Sequence, residues 1–277
     1  MVLESLITAK IAENKPWKMI PLSFIYSSVA VLLASWIFPG NDLAVISFTV
    51  IASVPLMVSV MKFEEYKEEI SKDINFAVHK HLLPFFTFFF LGLTLSFIFW
   101  FSILPNNLAS TLFSSQLNTI NDINTYVVTG NLIKTGEFWN IFLNNIRVLA
   151  FAIVFSLLYG AGAIFIITWN ASLVGVAIAN LAKSKVAQVT GATTVHYVGS
   201  YSMHLLKYML HGIPEILGYF IGGLAGGILS VSIIKKEFGT DLFSKALKDF
   251  VILSIISVSL LFVAALIEVG ISARIVV

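Results

Sequence analysis

The sequence predicts an all-α fold: a polytopic membrane helix bundle of six to seven transmembrane helices. Two observations carry this. Of 277 residues, 58% are hydrophobic and only 12% are charged. Several apolar runs also reach the ~20 residues that cross a bilayer. The net charge of +2 is too small to point to nucleic acid as a partner. The lack of cysteine excludes disulfides, thiolate metal sites and cysteine nucleophiles.

The chain opens with "MVLESLITAKIAENKPWK", which mixes charges at helical intervals and lacks the basic, apolar, small order of a signal peptide. It reads as a short interfacial helix with Val2, Leu3, Leu6 and Ile7 on its apolar side. Apolar spans follow at about 20–38 and 43–61, joined by the turn-forming "PGND" in a tight hairpin. From Lys62 to His81, Phe63, Tyr66, Ile70, Ile74 and Ala77 recur every three or four residues among charges. That pattern predicts an amphipathic cytoplasmic helix.

A third span is expected at 82–104. The polar stretch 105–144, rich in Asn, Ser and Thr, reads as an extracytoplasmic loop or cap. Further clear spans lie at 147–169, 213–234 and 249–270. Residues 147–182 would measure about 54 Å as one helix, too long for one crossing. The polar Trp169-Asn170 step is therefore expected to break it and leave a short fifth span over 170–182, carrying Asn170 and Asn180. With that span the chain crosses seven times, keeping the N-terminus and Lys235-Lys236 on the cytoplasmic side of a plasma membrane.

Between 196 and 211 a helix would place His196, Ser200, His204, Lys207 and His211 on one stripe, as suits a helix lying in the membrane interface. Gly212 and Pro214 are then expected to turn the chain into the bilayer, because proline belongs in the first turn of a helix. In this reading Arg147, His211, Glu215 and Glu268 arrive at one outer leaflet. Ionisable groups inside a membrane usually pair or line a wet cavity, so Arg147 is expected to pair with Glu215 or Glu268, with His211 alongside. A plainer reading has Glu215 only complementing the positive end of its helix.

The glycines of "LGYFIGGLAGG" predict helix packing. Gly218, Gly222 and Gly226 repeat every four residues, as do Gly223 and Gly227. Ala152, Ser156 and Gly160 form a matching row on the fourth span, and small residues in such rows let backbones approach closely. In parallel helices the two rows meet at similar depth. The second glycine row is left to face either the same chain or an identical subunit.

"NNIRVLAF" at 144–151, "WNASLVG" at 169–175, "HGIPEILGYFIGGLAGG" at 211–227 and "AALIEVGIS" at 264–272 together resemble the stage II sporulation protein M family. The resemblance covers roughly residues 80–277, a five-span core. It divides the chain into an added segment 1–80 (interfacial helix, hairpin and amphipathic linker) and a core 81–277 with the 105–144 loop. The resemblance implies a membrane anchor and scaffold that gathers envelope hydrolases.

The expected function is therefore a non-enzymatic, multi-pass scaffold without cofactors. It would engage the lipid bilayer, protein partners through loop 105–144 or the cytoplasmic segments, and possible copies of itself. A transporter or channel built on the polar cluster is the competing class. An intramembrane hydrolase would need a metal held by His204, His211 and Glu215, which share a face only if the helix runs through Gly212 and Pro214. No H-E-x-x-H motif supports it.

Overall fold

A computed structural model describes residues 14–71, 82–128, 134–159, 162–186 and 194–271. Among them, a 3-10 turn at Pro16–Lys18 precedes nine helices: α1 (Met19–Ile37), α2 (Ala44–Ser71), α3 (Leu82–Ile103), α4 (Asn106–Leu112), α5 (Ser114–Val128), α6 (Lys134–Tyr159), α7 (Gly162–Val186), α8 (Thr194–Ile234) and α9 (Asp241–Ile271). Among the described residues, six stretches are long and apolar enough to span a bilayer: Pro16–Ile37, Pro84–Ile103, Phe138–Leu157, Ile164–Lys183, Leu210–Ile234 and Asp241–Gly270. Ala44–Val60 is a shorter apolar helix. The expected interfacial helix before Lys15 and the linker over 72–81 lie outside the described residues, although α2 carries the chain on as helix to Ser71.

Close approaches set the helix directions. Trp100 Nε1 of α3 donates to Ser28 Oγ of α1 at 2.8 Å, and Gly92 lies against Ile20 and Ser23, so α1 and α3 run parallel. Gly175 of α7 faces Thr94 and Phe97 of α3, and Lys183 reaches Leu104, so α7 is parallel to α3. Gly222, Gly226 and Ser230 of α8 meet Leu149, Ile153 and Leu157 of α6 in that order, so α6 and α8 are parallel. Gly218 and Gly222 meet Leu261 and Ser257, so α9 runs antiparallel to α8. With the short connections of α1 to α2 and of α6 to α7, the seven apolar helices alternate in direction.

The core is aromatic and small-residue together. Phe85, Phe86, Phe89, Phe97 and Phe113 are fully buried, where ring edges meet ring faces, as in the 81° contact of Phe97 with Phe113. Buried hydroxyls cost little because they bond back to the preceding turn: Ser23 to the Met19 carbonyl at 2.7 Å, Ser27 to Ser23, Thr49 to Val45 and Ser53 to Thr49. Such residues let helices approach without leaving a donor unpaired.

Four expectations are corrected. The described residues of the stretch 105–144 are largely helical, in α4, α5 and the first turns of α6. Asn, Ser and Thr are weak helix formers, but Ala109, Leu112, Phe113 and Gln116 recur on one side and are buried, so packing overrides propensity. The Phe113 ring sits 5.7 Å from Phe101 and 6.1 Å from Phe97, so the α4–α5 junction wedges into the bundle beside α3. The Trp169-Asn170 step does not break its helix. Asn170 Nδ2 donates to the Ile166 carbonyl at 2.9 Å, and the candidate spans on either side are Phe138–Leu157 and Ile164–Lys183, with residues 160–161 outside the described ones. The fifth crossing is thus of ordinary length, and the short apolar helix is Ala44–Val60. Finally, α8 runs unbroken through Gly212 and Pro214, so the stripe over 196–211 continues the spanning helix end to end and is no separate interfacial helix.

Candidate functional site

The first turns of the Leu210–Ile234 span of α8 carry the candidate polar cluster. One turn is four residues, so Glu215 and Tyr219 lie above each other, and the Tyr219 hydroxyl donates to Glu215 Oε1 at 2.8 Å. Tyr219 is buried, at 2% exposure, among Leu149, Ala152, Ile166 and Leu261. Glu215 and His211 are half-buried. Glu268 of α9 is also half-buried. The antiparallel contacts of Gly218 with Leu261 and of Gly222 with Ser257 set Glu268 opposite His211 by register, about one turn from Glu215.

Arg147 is not part of it. The apolar stretch that holds it is Phe138–Leu157, so Arg147 falls at its centre and not at its mouth. It is exposed on α6. The buried side of α6 is instead Asn145, Leu149, Ala152 and Ser156, and a residue two positions from Asn145 points about 200° away from it. The expected pairing of Arg147 with Glu215 is thus replaced by the bond to Tyr219. The inward polar group of α6 is Asn145, whose Nδ2 is buried with no hydrogen-bond partner among the described residues. Its signal was present in the sequence, one turn before Leu149 and seven residues before Ala152.

The glycine rows are placed largely as expected. A Cβ at Gly226 would lie 2.7 Å from the Ile153 carbonyl and 2.8 Å from Ser156 Cβ, while one at Gly222 would collide with the end of Leu149. Gly218 turns to α9 instead, with Leu261 Cδ2 at 2.9 Å and the Ser257 carbonyl at 3.2 Å. The row therefore seats α8 between α6 and α9. Ala152 and Ser156 are buried, and Gly160 lies outside the described residues. Gly223 and Gly227 are buried within the chain, which removes the alternative that they face an identical subunit.

For the metal reading, a continuous α8 puts His204, His211 and Glu215 on one face by register. Nevertheless no group of three His, Cys, Asp or Glu side chains suited to a metal occurs among the described residues. Asn180 is half-buried on α7, and Asn170 spends its amide inside its own helix.

A second polar region was missed by sequence reasoning. Gln116 of α5, fully buried, donates through Nε2 to Ser172 Oγ of α7 at 3.1 Å. Gln116 Oε1 and Thr168 Oγ1 are buried without partners among the described residues. Nearby, Lys183 Nζ donates to the Leu104 carbonyl at 3.0 Å and to Asn106 Oδ1 at 3.2 Å, and stands 5.2 Å over the Phe101 ring. The α1–α2 turn is tied to the same end: the Asp42 carboxylate accepts from Ser114 Oγ at 2.8 Å and from Ser115. These two bonds hold the Asp42 carboxyl below its ordinary range, since both favour the charged form.

No curated protein and no solved structure matches the chain at a significant level. The profile of the stage II sporulation protein M family matches residues 43–273. The match starts inside the N-terminal hairpin and so extends further upstream than the motif resemblance over 80–277. It covers α2 through α9, including the glycine faces, the Glu215–Tyr219 pair and the wedged α4–α5 segment, and on that extent the chain belongs to the stage II sporulation protein M family.

Proposed function

We propose that this protein is a non-catalytic scaffold that positions partner proteins in or at a membrane. The observation that supports it most is the use made of Glu215. The one carboxylate on the innermost spanning helix is committed to Tyr219 on its own helix, and the glycine contacts press α8 between α6 and α9 on either side of it. Polar groups are thus spent on holding helices in fixed relation, as a platform needs. The plasma membrane and a cytoplasmic N-terminus belong to this proposal, as do partner surfaces on α4–α5 and on the charged 235–248 segment.

A transport reading is favoured by one observation: Asn145, Gln116 and Thr168 leave buried polar atoms unbonded inside the bundle, and such atoms usually find water or a ligand. Proteoliposomes separate the two. Proton or sodium flux well above empty vesicles, abolished by Glu215→Gln or Gln116→Leu, sinks the scaffold reading. Flux at the level of empty vesicles, with a stable crosslinked protein partner at α4–α5, supports it.

A further inference from the structure

The face of α6 turned away from the bundle carries an uncovered polar stripe. Asn140, Asn144 and Arg147 are all exposed, and their spacing of four and three residues aligns them along one side of the helix. Of the six candidate spans among the described residues, Phe138–Leu157 is the least covered, at 22% buried, so most of its surface faces away from the bundle. Around the stripe stand Trp139 at 55%, Leu143 at 48% and Phe151 at 62% exposure.

Arg147 lies midway along that span, about 15 Å of helix from either end. A guanidinium there cannot be carried to the headgroups by its own side chain. Leaving it in hydrocarbon is costly, and such groups usually pair or line a wet cavity. Asparagines in the same stripe add to the cost, and in membranes such residues hydrogen-bond across helix interfaces.

We propose that this stripe is the docking site for a membrane-spanning helix of another protein that places a carboxylate at mid-depth. The proposal rests on the scaffold reading and names the chemistry of its partner. Charge decides the occupant. A second copy related by an axis along the membrane normal would set Arg147 against its own counterpart at the same depth. The acids this chain holds in its long spans, Glu215 and Glu268, are half-buried where α8 and α9 pack, toward the N-terminal end of the α8 span. A foreign carboxylate at mid-depth instead neutralises Arg147 and accepts its planar pair of donors, while Asn140 and Asn144 bond to polar groups a few turns away.

The test uses the full chain in phosphatidylcholine vesicles with a fluorescent poly-leucine helix of about 20 residues carrying a single central Glu, read by energy transfer. The Glu helix is expected to bind at least about tenfold more tightly than otherwise identical Gln or Leu helices. Arg147→Leu should erase that preference, Arg147→Lys should keep part of it, and Arg147→Glu should transfer it to a helix with a central Lys. The Glu variant guards against a folding artefact, since a misfolded chain gains no new preference. Equal binding of Glu and Leu helices overturns the proposal. So does self-association of the chain that depends on Arg147, which would assign the stripe to a second copy. Its failure leaves the scaffold reading standing on its other surfaces, whereas Glu215-dependent flux would sink that reading whatever the helix does.

Discussion

The Tyr219 hydroxyl donates a 2.8 Å hydrogen bond to Oε1 of Glu215, one turn earlier on the same helix, at the point where α6, α8 and α9 converge. Tyr219→Phe removes the donor and leaves a carboxylate without it. Thermal unfolding in detergent should show a loss of about 1–3 kcal/mol. Glu215→Gln keeps an acceptor for the hydroxyl and should lose less. Equal losses would mean that the bond does not hold the site.

The glycines of α8 should differ in tolerance according to what they touch. Gly226→Ala drives a methyl into the Ile153 carbonyl and Ser156 Cβ, where backbone must move, and overpacking of this kind costs about 1–3 kcal/mol. At Gly222 the obstacle is the end of the Leu149 side chain, which can rotate aside. Gly222→Ala should therefore be the milder change, and the double variant Gly222→Ala with Leu149→Ala milder than Leu149→Ala alone. Unfolding midpoints of the four variants check the order.

Asp42 predicts an acid sensitivity where the α1–α2 turn meets α5. Its carboxyl is held below the ordinary aspartate value of 3.8 by Ser115 and then Ser114. A lowered folded-state value stabilises the fold above the unfolded value, and that contribution is lost as pH falls through the folded one. Stability should therefore decline below about pH 4 more steeply in the parent than in a Ser114→Ala, Ser115→Ala variant. Melting curves from pH 7 down to 3 read the difference.

Lys183 holds the end of α3 through the Leu104 carbonyl and Asn106. Lys183→Met keeps the apolar stem but loses both bonds. It should cost about 1 kcal/mol and speed amide exchange in the last turn of α3 and in α4. Exchange rates followed by mass spectrometry would expose an unchanged α3 end as a contradiction.

The alternation of seven helices makes a topological prediction, and the absence of cysteine makes it easy to check. Asn41 and Asn107 lie at one end of the bundle and Thr240 at the other, all exposed. Single cysteines at 41 and 107 should react with an impermeant maleimide in intact cells, and one at 240 should react only after permeabilisation. Labelling of 240 together with 107 would remove one crossing.

Much of this architecture was legible in the apolar runs, because lipid-facing helices announce themselves by length alone. The row of Gly218, Gly222 and Gly226 foretold the parallel contact of α6 with α8 for a similar reason: close backbone approach demands small residues at a fixed period. What misled were residues whose local habit was overruled. Asn170 satisfies its amide inside α7 and needs no break, and Pro214 sits within a helix that neighbours hold in place. With the span over Phe138–Leu157 in place of 147–169, Arg147 passes from the mouth of its span to its middle. The wedged α4–α5 segment was hidden because its burial of Phe113 and Gln116 depends on α3 and α7, far away in sequence.

The length of α8 has a mechanical consequence. Its 41 residues make a rod of about 61 Å, roughly twice the thickness of the hydrocarbon layer. The 16 residues before Leu210 therefore extend the helix as a stalk beyond its apolar stretch of 25 residues, Leu210–Ile234. Pro214 supplies no amide hydrogen to the carbonyl four residues back, and the resulting soft joint lies where the stalk meets the bundle. A pull or tilt applied to the stalk is delivered there, one residue from Glu215. The molecule is thus geared so that whatever grips it outside the membrane bears first on the helix that α6 and α9 clasp between them.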